Sequence, residues 1–136
     1  MKLKNRDVLP LFETINIMDA MFPELPAKVT YANGRNISAL SSVYEAVNKA
    51  RQKLVEKYGI KDEKSPVGYK LEEDKRTLAF KNDEDRKKFE DDFKPILDEE
   101  VNIDLYLISI EAFGDMKIDK KKIPTIHMYN KWLVVD

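Results

Sequence analysis

Cysteine is absent from the 136-residue chain, and histidine occurs once, at His127. The first absence removes thiol nucleophiles, thiolate zinc sites and any disulfide framework. The second leaves no pair of histidines to share a metal ion, so His127 reads as an ordinary structural or surface residue. Glycine is scarce too. Gly34, Gly59, Gly68 and Gly114 stand alone, and none opens a phosphate-cradling loop. No nucleophile elbow or kinase-like signature is present. Apolar runs are only a few residues long, far below the roughly 20 needed to cross a bilayer, so no membrane contact is expected. The opening Met1-Lys-Leu-Lys-Asn-Arg is basic but has no apolar run behind it, which argues against a secretory signal. Neither sign of charge dominates. With 24 basic and 25 acidic residues the net charge is -1, against a basic nucleic-acid arm, an acidic tail or a highly charged disordered chain.

What is present is a strongly patterned chain of about one domain's length, sufficient to build a core. Val8, Leu11, Phe12, Ile15, Met18 and Phe22 recur at steps of three and four, predicting a first helix that starts near Asp7 and tolerates Pro10 in its early turns. Pro23 and Pro26 then mark a tight break. A second apolar stripe, from Val29 through Ile37, Leu40, Val43, Tyr44, Val47 and Leu54 to Tyr58, predicts a helix over 27–58, with Gly59 as a left-handed stop. Unbroken, it would be about 48 Å long. Asn33, Gly34 and Asn36 are poor helix formers, so the alternatives are a bend at Gly34 or a partner that covers the overhang.

After the polar stretch 61–66 the periodicity changes. Tyr69 and Leu71, then Leu78 and Phe80, alternate with polar neighbours as a β-hairpin would. Asn82 can cap a third helix carrying Phe89, Phe93, Ile96 and Leu97, and the alternation of Val101, Ile103, Leu105 and Leu107 predicts a strand. Ser109 opens a single turn that Gly114 ends, and Asp119 starts a last helix through Ile123, Ile126, Tyr129 and Leu133. The expected class is α+β: a long helical hairpin over 1–60, a link over 61–66, and a small α+β unit over 67–136, built from a β-hairpin, a helix, a strand and a C-terminal helix.

Carboxylates are the only abundant residue type with catalytic uses. Asp83, Glu84 and Asp85 fit the first turn of a helix, where its dipole favours negative charge. Glu90, Asp91, Asp92, Asp98, Glu99 and Glu100 offer oxygen ligands for magnesium or calcium, but they lack the order of a calcium loop, and Lys87, Lys88 and Lys94 are near enough to neutralise them. No metal and no cofactor is expected. Lys49, Lys53 and Lys57, at i, i+4 and i+8 of the second helix, form a face able to follow a phosphate backbone, although a solvated face explains them as well. Tyr129 and Trp132 are the residue types favoured at interaction hot spots, and an exposed pair there would mark a docking site; the plainer alternative is that Trp132 closes the core.

The phrases Met1-Lys-Leu-Lys-Asn, Leu25-Pro-Ala-Lys-Val-Thr-Tyr-Ala, Arg35-Asn36-Ile37 and Ala50-Arg-Gln-Lys-Leu-Val-Glu-Lys-Tyr-Gly, with the acidic stretch Phe89 to Asp104 and the segment Ile118-Asp-Lys-Lys-Lys-Ile-Pro, occur in a familiar order. In that order the chain resembles a group of small uncharacterised proteins encoded by tailed bacteriophages and prophages. It differs in Asn33-Gly34 and in its apolar tail, Lys131-Trp-Leu-Val-Val-Asp. The resemblance implies a phage origin, and with it the bacterial host cytoplasm or the virion as location. It implies no activity and no functional residues. Together these features lead to the expectation of a non-enzymatic protein acting by protein contact, as a virion-assembly accessory or a host-factor binder. Homodimerisation is a simple way to cover a long helix. Two alternatives are a nucleic-acid-associated protein using Lys49, Lys53 and Lys57, and a metal-dependent enzyme using the acids between Asp91 and Glu100.

Overall fold

The computed structural model describes residues 1–114, 129 and 131–135. The fold is mixed α+β. In chain order it contains β1 (Lys2–Lys4), α1 (Asn5–Met21), α2 (Ala27–Tyr58), α3 (Asp83–Asp98), β2 (Glu100–Asn102), β3 (Ile108–Ser109), a 3-10 turn (Ile110–Phe113) and β4 (Val134–Val135). Two compact units result: Met1–Tyr44 with Glu100–Asp136, and Glu45–Glu99.

In the first unit α1 and the opening half of α2 form a hairpin-like pair. Val8, Leu11, Ile15 and Met18 of α1 are buried, as are Val29, Ala32 and Leu40 of α2, so the steps of three and four in the sequence do correspond to one inward face on each helix. Phe12 stacks on Tyr44 with ring centroids 4.1 Å apart. Two short sheets lie on this pair: β1 runs antiparallel to β2, with Leu3 opposite Val101, and β3 runs parallel to β4, with Ile108 opposite Val134. Leu3, Ile103, Ile108, Tyr129 and Leu133 complete the core.

Several expectations are corrected in detail. Helix α1 starts at Asn5, ahead of Asp7, so Pro10 lies beyond the first turn, where its missing N–H removes a rung of the helical ladder. Helix α2 is continuous through Gly34, because Asn33 and Asn36 are fully buried and spend their amide groups on tertiary hydrogen bonds, which outweighs their weak helix propensity. The strand expected over 101–107 ends at Asn102, with Ile103 still bonded to Met1, and strand pairing resumes at Ile108. The turn after it forms as expected: the Ser109 hydroxyl accepts from the Glu111 N–H and Gly114 closes it at φ 58°. Of the expected last helix, Tyr129 and residues 131–133 are helical. Asp119, Ile123, Ile126 and His127 fall outside the described residues.

The second unit has a smaller core, in which Val47, Val55, Leu78 and Ala79 are buried. Gly59 is not a left-handed stop, since only Gly68 and Gly114 among the glycines have positive φ. It is required for closeness instead: a Cβ there would lie 2.6 Å from the Val55 carbonyl oxygen and 3.0 Å from the Tyr69 ring. The expected hairpin forms only as single antiparallel bridges. Leu71 pairs with Leu78, while Tyr69 pairs with Lys61 and Phe80 with Gly59. Residues 61–66 belong to this unit and make a hydrogen-bonded turn, with the Asp62 N–H donating to Gly68 O at 3.0 Å. At the tip of the hairpin Lys75 takes φ 59°, and Asp74 accepts from the Thr77 hydroxyl and from the N–H groups of Thr77 and Arg76. These bonds, the hydroxyl first, hold the Asp74 carboxyl down at about 2. Asn82 caps α3 as expected, accepting from the Asp85 N–H at 2.8 Å.

Candidate functional site

In the first unit, the buried polar groups of α2 decide what reaches the surface. The Asn36 side chain treats the backbone of Tyr106 as a neighbouring strand would: its Oδ1 accepts from the Tyr106 N–H at 2.6 Å and its Nδ2 donates to Tyr106 O at 3.0 Å. With both backbone groups of Tyr106 satisfied, the segment between β2 and β3 is held against α2 without a ladder. The Tyr106 ring then meets Tyr31 edge to face, with centroids 5.7 Å apart. Arg35, one turn after Tyr31, sets its guanidinium 5.9 Å from the Tyr31 ring and 5.6 Å from the Tyr106 ring, and donates to the Tyr31 hydroxyl at 3.0 Å. That hydrogen bond, more than the charges around it, pushes the guanidinium further toward its charged form.

Beside this trio lies an open cleft of about 650 Å³. Buried Ala32 and Ile108 form its floor, Tyr31, Tyr106 and Leu107 its apolar wall, and Lys28 and Glu111 its charged edges. Tyr31 is 56% exposed, Tyr106 and Leu107 are each 44% exposed, and nearby Ile110 is 55% exposed. Large apolar side chains scattered singly over a surface need no explanation, but three lining one concavity do. The only hydroxyl of an aliphatic residue in the lining, on Ser109, is occupied in capping the 3-10 turn. The cleft offers an apolar recess and two aromatic side chains, with the Arg35 cation held beside them.

The residues singled out in the sequence lie elsewhere. Tyr129 is completely buried, and its hydroxyl donates to Asn33 Oδ1, whose amide donates in turn to Asp19 Oδ1 at 2.7 Å. Burial, with the Asp19 carboxylate adding to it, drives the Tyr129 phenol far above its ordinary range. Trp132 is half-buried against the same core, with the Lys131 ammonium 5.2 Å from its ring centroid. The exposed pair that would mark docking is thus not what these two residues form. Lys49, Lys53 and Lys57 are all exposed along α2 within the second unit, and Lys57 sits over the Tyr58 ring. The acids between Glu90 and Glu100 do not converge: among the described residues no group of three or more is placed to hold a metal ion, and Asp92 accepts from the Tyr58 hydroxyl at 2.7 Å. Glu84 pairs with Lys88 along α3 at 3.1 Å.

The cleft itself was hidden in the sequence. Tyr31 and Arg35 stand four apart on one helical face, which is a usable signal, but nothing local joins them to Tyr106, 71 positions beyond Arg35. Comparison with known protein families, curated proteins and solved structures finds no match to this chain.

Proposed function

We propose that this is a non-enzymatic, phage-encoded protein that acts by protein–protein contact, as a virion-assembly accessory or a host-factor binder, and that the cleft beside Tyr31 and Tyr106 is its contact surface. The observation that carries this reading is the gathering of Tyr31, Tyr106 and Leu107, all exposed, at one concavity with an apolar floor. Tyrosine and arginine are the residue types that dominate interaction hot spots, because each combines a large apolar face with a polar end. The charges define the occupant: Arg35 and Lys28 favour a partner segment that presents an acidic side chain next to an apolar one. The apolar side chain enters over Ala32 and Ile108, and the carboxylate faces the guanidinium.

Selection of short random peptides on the full chain tests this reading. The enriched sequences are expected to pair Leu or Phe with an adjacent Asp or Glu, and to lose about 30-fold or more in affinity on Leu107→Asp or Arg35→Glu, the loss of a ~2 kcal/mol hot spot. A selection that enriches nothing, or peptides that bind both variants as well as the parent, rejects the cleft as a contact surface. The same variants used in pull-downs from infected cells then separate the true partner from background.

A nucleic-acid role is the second reading, supported by the exposure of Lys49, Lys53 and Lys57 at one-turn intervals. On that reading, affinity for duplex DNA or RNA falls steeply with added salt, and the slope flattens by about one for each lysine reversed to glutamate. Salt-independent binding, or a triple reversal that leaves affinity unaltered, disposes of it.

A further inference from the structure

The second unit holds a smaller concavity, about 150 Å³, formed by its own residues alone. Val55 and Leu78, 4% and 7% exposed, make its floor with Leu71. Arg51, Lys75 and Arg76 also line it and are exposed, as suits long side chains whose apolar stems can pack while their charges remain hydrated. No carboxylate belongs to the lining. This is not for want of one nearby, since Glu72, Glu73 and Asp74 lie between Leu71 and Lys75 in the chain. Those acids border the neighbouring depressions, one of which Leu71 and Lys75 also line. Glu72 is paired with Arg86 at 3.1 Å, and the Asp74 carboxylate accepts chiefly within its own turn, with the Arg76 charge a weaker influence on it. Among the described residues no ion pair engages Arg51, Lys75 or Arg76. Three cationic side chains thus border one apolar recess whose own lining supplies no carboxylate, an arrangement that favours an anion at its mouth. The backbone adds to the pattern: Lys75 occupies a left-handed conformation that suits glycine and costs other residues about 1 kcal/mol.

We propose that this concavity binds a carboxylate carried on a small apolar group, with the apolar part on Val55, Leu71 and Leu78 and the carboxylate among Arg51, Lys75 and Arg76. A void of this size holds roughly one aromatic ring. The carboxylate has two possible sources, a free aromatic or branched aliphatic acid and the terminal carboxylate of a peptide ending in Phe or Leu. The site stands on the second unit's residues and does not depend on the cleft described above.

Titration of the isotopically labelled full chain, followed by amide chemical shifts, decides the matter. Phenylacetate is expected to give saturable shifts at Val55, Leu71, Arg76 and Leu78. Neutral phenylacetamide, which lacks the charge, and sulfate, which lacks the ring, each bind about tenfold more weakly or less. Arg51→Gln and Arg76→Gln, both at exposed positions, each weaken phenylacetate about tenfold while leaving shifts in the first unit unchanged. A short peptide ending in Phe with a free carboxylate assigns the source: tighter binding than phenylacetate, lost in the peptide amide, points to a protein terminus, and weaker binding points to a small acid. The proposal is overturned if neither acid gives saturable shifts at these amides, if phenylacetamide or sulfate binds as well as phenylacetate, or if both arginine variants bind as the parent does.

Discussion

Tyr129→Ala is expected to destabilise the chain by about 4–5 kcal/mol, and Tyr129→Phe by about 1–3 kcal/mol. The first change removes the ring of a fully buried side chain that meets Phe113 edge to face, with centroids 6.1 Å apart. The second keeps the ring and deletes only the hydroxyl, leaving Asn33 Oδ1 buried without its donor. The gap between the two variants therefore measures packing, and the phenylalanine value alone measures the polar link. Urea unfolding at neutral pH gives both. If Tyr129→Phe is as stable as the parent, the Asn33–Tyr129 bond contributes nothing.

The same hydroxyl gives the chain a signed pH response. Its ionisation is displaced upward in the folded state, first by burial and then by Asp19, while in the unfolded chain it ionises near 10. Below pH 10 both states keep the proton and no pH-dependent difference arises from this group. Above it the unfolded chain releases a proton that the folded chain retains, so stability falls as pH rises, by up to about 1.4 kcal/mol per unit for this one group. Unfolding curves across the alkaline range are expected to show this component in the parent and to lack it in Tyr129→Phe. Equal alkaline slopes in the two proteins would place the phenol in water.

Much of this arrangement could be read from residue order. The faces of α1 and α2 follow from steps of three and four, the cap of α3 from Asn82, and the turn at Ile110–Phe113 from Ser109 and Gly114. These are local features, decided within a few residues by periodicity and hydrogen-bonding chemistry. What could not be read depends on pairs far apart in the chain. Asn33 and Asn36 look like helix breakers in isolation, yet Asn33 meets Tyr129 across 96 positions and Asn36 meets Tyr106 across 70. Gly59 reads as a helix stop, but its actual constraint is the carbonyl of Val55 and the ring of Tyr69. The strand over 101–107 had the correct alternation and still did not form throughout, because a side chain on α2 took the backbone groups a ladder would have used. That exchange also produced the cleft, by turning Tyr106 toward Tyr31 and Arg35. In this chain the misread strand and the missed site have one cause.

That cause can be tested directly through Asn36→Ala, which is expected to cost about 2–4 kcal/mol. The change removes two hydrogen bonds and leaves a cavity at a position with no solvent exposure. Both bonds are only part-buried, so the loss is smaller than for two sealed orphans. Asn36→Asp separates donor from acceptor. The introduced carboxylate still accepts from the Tyr106 N–H but faces Tyr106 O with no proton to give. Burial and that carbonyl raise its pKa above the unfolded value, so the penalty applies above the folded-state pKa and shrinks as pH falls through it. The aspartate variant is thus expected to gain on the parent in mild acid, while the alanine variant does not. The alanine variant releases the segment that positions Tyr106, so peptides selected on the cleft should bind it at least about tenfold more weakly even under conditions where it remains folded. An alanine variant with parental stability and parental peptide binding would mean that Tyr106 is held by something other than Asn36, and the account of how this cleft is built would fail with it.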